Sequence, residues 1–189
     1  MMRLVRHIWN SNMYRTAGIL LVILLTTSFL GGIHAQPRSA GMTFSYSGIG
    51  ISYMHDIDPE SFAEIQLRAE TVEMFNGKAG HPGVSASFTW NMLLADFISR
   101  NGNKVDIYAG PGVIFGSAED MKRPAGLFFG MKGKIGAECT FSRKIALSLS
   151  LAPVIGVHFG RESEMLSMHL FRNGLLYTIM PEIGIRYSF

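Results

Sequence analysis

A two-residue rhythm, kept up over unusually long runs, limits the fold of this chain more than any other feature. In "ESFAEIQLRAETV", Ala63, Ile65, Leu67 and Ala69 fall on one side, and Glu64, Gln66, Arg68 and Glu70 on the other. "GVSASFTWNMLLA" sets Val84, Phe88, Trp90 and Met92 against Ser85, Ser87, Thr89 and Asn91. "GLFFGMKGKIGAE" sets Leu127, Phe129, Met131 and Ile135 against Gly130, Lys132, Lys134 and Glu138. "KIALSLSLAPVIGVHF" sets Ile145, Leu147, Leu149 and Leu151 against Ala146, Ser148 and Ser150. Such alternation builds strands with two unlike faces. The runs outlast the roughly five or six residues of an ordinary strand. They suit the roughly nine to eleven tilted residues that cross the hydrocarbon of a bilayer.

Alternation alone does not say which face points inward. On these strands the apolar side is bulky and uncharged, as a lipid-facing band must be, because a charge near the bilayer midplane costs about 2–4 kcal/mol. The polar side is mostly Ser, Gly, Thr and Ala, which fits a crowded interior better than a water-facing surface. Its few charges are mixed in sign: Glu64, Glu70, Asp106, Glu138 and Glu182 against Arg68, Lys132, Lys134 and Arg186. Opposite charges can pair in a narrow lumen where a lone one is expensive. The reading is therefore polar inside, apolar outside. Backbone groups in lipid need partners, so such a chain must close on itself. The expected fold is all-β, a transmembrane up-and-down antiparallel barrel of eight strands.

The N-terminus carries a different signal. Arg3, Arg6 and Arg15 precede the apolar run of "TAGILLVILLTTSFLGGIHAQ", and Ala35 stands before Gln36. That is the layout of a cleaved secretory signal peptide over residues 1–35, leaving a barrel domain at 36–189. A transmembrane anchor is the alternative, although the apolar core, Ala17 to Leu25, is short for one. The chain has 17 basic and 14 acidic residues. The leader holds three of the basic ones and no acidic one, so its removal leaves 14 of each. No basic surface for nucleic acid remains. The single cysteine, Cys139, excludes an internal disulfide framework.

The C-terminus, "PEIGIRYSF", places Glu182, Gly184, Tyr187 and Phe189 in a polar, glycine, aromatic, aromatic pattern. This resembles the C-terminal β-signal of Gram-negative outer-membrane barrels, and the mature chain is similar to the small porin-like group that includes OmpX-type barrels and the transmembrane half of OmpA-type proteins. The resemblance implies residence in the outer membrane, contact with its lipid, and recognition of the last strand by the barrel-assembly machinery. No cofactor is expected, and the sequence does not name an external ligand.

Seven strand segments are expected, near 43–54, 60–74, 83–97, 104–116, 126–140, 144–159 and 175–189. Bacterial single-chain barrels have even strand numbers. An eighth strand could come from 163–171. If instead the short connections "DIDP", "SRNGN" and "SR" are periplasmic, 160–174 is an outer loop and the missing strand is N-terminal, where alternation slips at Gly48. Pro111, Pro153 and Pro181 should mark bulges or bends, since proline gives no N–H to the ladder.

An eight-stranded barrel is just filled by its side chains, so no wide pore is expected. The functional reading is a non-catalytic outer-membrane barrel that acts in surface binding, adhesion or membrane integrity. A lipid A-modifying barrel enzyme is one alternative and a soluble periplasmic ligand-binding barrel another. The first would need a rim Ser/His/acid set; Glu162, Glu164, Ser167 and His169 form one cluster, and His55, Asp56 and Asp58 another, neither in a matching spacing. His81, beside Pro82, reads as a turn residue, and His158 as a hydrogen-bonding residue of the lumen.

Overall fold

The computed structural model describes residues 38–71, 83–120, 123–142, 144–162, 165–176 and 179–189. Its strands are β1 (Arg38–Ser45), β2 (Gly48–Asp58), β3 (Ser61–Glu70), β4 (Gly83–Ile98), β5 (Lys104–Asp120), β6 (Arg123–Thr140), β7 (Ile145–Leu151), β8 (Val154–Glu162), β9 (Met165–Leu170) and β10 (Glu182–Ser188), with one helical turn, α1 (Asn173–Leu176). Each of β1 to β6 pairs antiparallel with the next. β6 then pairs with β7 along residues 135–140 and with β8 along 127–132. β10 lies between β7 and β1 and closes the sheet into a barrel.

These ten segments make eight staves. β7 and β8 are one stave interrupted at Ala152–Pro153. β9 and β10 are another, interrupted between Leu170 and Glu182. The register fixes the barrel's shape. From Thr43, cross-strand partners lead one way through Gly50, Arg68, Ser85 and Gly116 to Phe128. The other way leads through Gly184 and Ser148 to Glu138, ten residues further along β6. A stagger of ten over eight staves tilts the strands by about 40° and sets a radius of about 8 Å, given the usual strand spacing and rise.

Two boundaries differ from the sequence expectation. Residues 43–54 are not one strand: Tyr46 and Ser47 form a tight turn between β1 and β2. The slip at Gly48 is this turn, and the missing strand is N-terminal. Ser47 fixes the turn, with its oxygen 2.6 Å from Ser45 Oγ and its carbonyl accepting Thr71 N–H at 2.8 Å. Nor is 175–189 one strand. Leu175 belongs to α1, and pairing resumes only at Glu182, after Pro181, which has no N–H to give. Segment 163–171 does contribute a strand, β9, which extends the far end of the last stave.

One end of the barrel gathers Arg38, Phe189 and the turns at Pro59–Glu60, 99–103 and 141–144. It is called the terminal end here. The 99–103 turn depends on Gly102, whose φ of 79° suits glycine. At the far end, β5, β6, β8 and β9 rise well beyond the β1–β2 turn.

The strand faces are sharply divided. Ile51, Ile65, Phe88, Leu127, Leu149 and Ile185 project outward and are exposed, whereas Thr43, Ser52, Gln66, Ser85, Thr89 and Ser148 project inward and are buried. The fold is thus inverted relative to a water-soluble barrel: its buried centre is largely polar.

Candidate functional site in the barrel lumen

Three staves carry the ion pairs at the centre of the lumen. Arg68 pairs with Glu182, and Glu182 also faces Lys134 at 3.5 Å. Lys134 reaches Glu64 at 2.7 Å, Glu64 reaches Arg186 at 3.4 Å, and Arg186 pairs with Glu138. Six charges on β3, β6 and β10 therefore form one chain of alternating sign. All except Glu138 are at least nine-tenths buried. Their burial sets the logic, since a desolvated ion is tolerated only beside its opposite and with its remaining polar atoms satisfied.

Uncharged groups complete the lattice. Gln66 donates to Thr43 Oγ1 at 2.7 Å and to Glu182 at 3.0 Å, while its own oxygen accepts from Lys132 at 2.8 Å. Lys132 also donates to Ser87 at 2.9 Å, and Arg68 to Ser47 at 3.1 Å. Glu70 accepts from the Ser85 hydroxyl. Tyr108 crosses the lumen below, packing edge-on to Phe62 with ring centres 5.2 Å apart. Gly136 gives it room: a Cβ there would stand 2.7 Å from the Tyr108 hydroxyl.

Of the nine charges singled out in sequence, six make this chain, Lys132 and Glu70 are held in the lumen by Gln66, Ser87 and Ser85, and Asp106 stands apart. It pairs at 2.9 Å with Lys104, two residues away on its own strand and half exposed. Asp106 sits at the terminal mouth, where water can reach the pair, rather than in the dry centre. Beside it a cavity of about 180 Å³ opens between Asp58, Phe62, Leu93, Tyr108 and Glu138.

The C-terminal residues divide by face. Glu182 and Gly184 point inward, and Tyr187 and Phe189 outward and exposed. Tyr187 accepts a hydrogen bond from Lys144 Nζ at 3.2 Å, and the backbone of Phe189 donates to Arg38 O at 3.0 Å. The last strand is thus tied to the first at the terminal end.

Sequence reasoning missed a second region. In the far half, the inward positions of β5, β6 and β8 hold Ile114, Ala118, Phe128 and Val154, which with Phe171 make an apolar cluster. Phe171 stacks on Phe128 with ring centres 4.3 Å apart and planes 7° from parallel. Its backbone N–H donates to Gly156 O at 2.9 Å. Asp120 holds the following residues by accepting Arg172 N–H at 3.0 Å and Asn173 N–H at 2.8 Å. After β9, therefore, Phe171 and Asn173 lie inside the wall. A signal existed in the apolar doublets Val113–Ile114, Phe128–Phe129 and Val154–Ile155, where one member faces out and the other in.

Among the described residues weighed for catalysis, the hydrogen bonds of Ser167, Asp58 and His158 do not join a Ser/His/acid set. Ser167 Oγ donates to Gly160 O at 3.2 Å. Asp58 accepts from the Ser61 hydroxyl and Glu60 N–H at the β2–β3 turn. His158 is fully buried and donates Nε2–H to Ala118 O at 3.0 Å. The side chains of Glu162 and Glu164, together with His81, lie outside the described residues. Among the described residues, no group of three His, Cys, Asp or Glu side chains is arranged to hold a metal ion.

This geometry defines a class: a closed, eight-staved, antiparallel up-and-down β-barrel. A solved structure agrees on the fold. The N-terminal β-barrel domain of Pseudomonas aeruginosa OprF aligns over 82% of this chain and 96% of its own, with a TM-score of 0.50 at 9% identity. Neisserial surface protein A (NspA) aligns over 82% and 95%, with a TM-score of 0.39 at 13% identity. The sequence matches no protein-family profile and no curated protein at a significant level.

Proposed function

We propose that residues 1–35 direct export and that 36–189 reside in the outer membrane of a Gram-negative bacterium as a non-catalytic barrel acting in surface binding, adhesion or membrane integrity. The observation that carries this reading is the division of faces. Bulky apolar side chains such as Leu149, Ile155 and Leu127 stand exposed around a closed wall, while the lumen charges pair at its centre. In water, that outer surface would be a severe aggregation hazard; in a bilayer it is the expected lipid contact. The short turns at the terminal end suit the periplasmic side, where such barrels keep their turns short.

The ion-paired lattice is structural in this reading, filling the lumen and leaving no wide pore. Tyr187 and Phe189 face outward at the end of the closing strand, where the assembly machinery would meet them. Heat-modifiable gel migration, with extraction from membranes only by detergent, tests residence; a chain that is soluble without detergent overturns it. Replacing Phe189 with Ser, or deleting it, is expected to lower outer-membrane assembly several-fold, and normal assembly would remove the β-signal reading. Unchanged lipid A mass in expressing cells is expected for the non-catalytic reading, and a modified lipid A would replace it with the enzyme reading.

A further inference from the structure

The cavity of about 180 Å³ at the terminal mouth has two unlike walls. Met54, Phe62, Leu93 and the ring of Tyr108 make an apolar one, with Phe62 set edge-on to Tyr108. The other is acidic: Asp56, Asp58, Glu60, Asp106 and Glu138 line it, against the ammonium of Lys104. Five carboxylates facing one ammonium give the space a strong preference for a cation.

The register sharpens that preference. Asp96 lies directly across from Asp106, and Asp106 directly across from Glu138, so three carboxylates stand side by side on neighbouring strands. Like charges in such positions repel. Their counter-ions are few. Arg186 pairs with Glu138 but also serves Glu64, and Lys104 reaches Asp106 from a half-exposed stem, a kind of pair that holds weakly. A second observation lies on the apolar side. Tyr108 lines the cavity and is 1% exposed, yet its hydroxyl has no hydrogen-bond partner among the described residues. Buried polar groups are normally paired. The shape of the space then selects the cation. Among the described residues, no three of these side chains are arranged to hold a metal ion. A cavity of about 150 Å³ admits benzene, a molecule of about six heavy atoms.

We propose that the terminal mouth is a binding site for a linear alkyl diammonium ion of about six heavy atoms. Its inner ammonium donates to the Glu138 carboxylate and to the Tyr108 hydroxyl oxygen. Its methylenes lie along Met54, Phe62 and Leu93. Its outer ammonium meets Asp56 and Asp106, where it takes the place of Lys104. A monoamine answers only one end of this arrangement, and a metal ion gains nothing from the apolar wall. The ligand class follows from the cavity alone, so the proposal goes beyond the membrane reading and does not depend on it.

The test places the protein, with 13C-methyl methionine, in nanodiscs of zwitterionic lipid and titrates it with 1,4-diaminobutane. Met54 lines the cavity, whereas Met42 and Met92 are exposed on the outer face and report an intact barrel in every variant. A saturable shift of Met54 alone is expected, with NOEs from the diamine methylenes to its methyl group. 1-Aminobutane should bind roughly tenfold more weakly, as should the diamine to Asp106→Asn, each losing a charge-assisted hydrogen bond. Lys104→Gln should tighten binding, because the resident competitor is gone. Absence of NOEs to Met54 in the native chain overturns the site. So does an equal Met54 shift from sodium chloride at matched ionic strength, which would reduce the mouth to diffuse counter-ion attraction. Equal affinity for the monoamine and the diamine overturns the two-ended ligand.

Discussion

The two halves of the lumen solve the same problem by opposite means. In the terminal half, staves β3, β6 and β10 fill the centre with charges that satisfy one another, and the chain from Arg68 to Glu138 crosses the barrel. In the far half, the inward positions of β5, β6 and β8 are apolar, and an excursion of the last stave fills what they leave open. The ionic half lies where the wall is complete, with each stave paired on both sides. The apolar half lies where the last stave is broken. Paired ions need rigid placement, because a small displacement uncovers a desolvated charge. An apolar contact has no preferred direction, so a side chain from outside the regular wall can supply it.

The largest expected effect is in the ionic half. Glu64→Leu leaves Lys134 and Arg186 without their shared carboxylate and should destabilise the barrel by about 3–5 kcal/mol, read from reversible denaturant unfolding in phospholipid vesicles. A loss below about 1 kcal/mol would show that water enters the terminal half and screens these charges. The same measurement on the native chain should change little between low and high salt, since buried pairs are poorly screened.

Phe171→Ala tests the other half. Truncating a buried aromatic ordinarily costs about 3–5 kcal/mol. A filler supplied by an irregular segment should cost less, about 2 kcal/mol, where neighbouring side chains can close over the space. A full loss would place Phe171 in a rigid core and erase the contrast between the halves.

The outer face gives a reference common to both. Leu149→Arg should cost about 2–4 kcal/mol in a bilayer if the residue lies near its midplane, falling towards zero near an interface. Spin labels at Leu149 and Ser150 should report acyl chains and a protected lumen respectively, and the reverse would invert the barrel. The smallest effect is expected for Asp120→Asn, about 1–2 kcal/mol, since the amide oxygen can still accept one of the two N–H groups. Its informative readout is faster amide exchange confined to residues 171–174.

Much of this architecture was legible in the chain because β-strand periodicity is local. Ser148, Leu149 and Ser150 declare their faces with no knowledge of their neighbours, and closure follows once the apolar face is given to lipid. The residue types of Glu64, Lys134 and Arg186 likewise showed that charges would meet inside. Their partners were hidden, because pairing across the lumen depends on stagger, a property of the whole circuit of staves. Gln66 passed unnoticed for that reason: as an isolated polar residue it is unremarkable, yet the register sets it between Thr43, Glu182 and Lys132.

The sequence by itself determined a two-faced, all-β chain with apolar side chains on one surface and balanced charges on the other, because each residue's face follows from its parity along a strand. Only the tertiary structure decided that the missing strand is N-terminal, that Asp106 stays outside the ionic chain, and that Phe171 turns into the lumen. The physical reason is distance along the chain. A tight turn at Tyr46–Ser47, a stagger of ten residues and an inward detour at Phe171 are fixed by contacts between residues far apart in sequence.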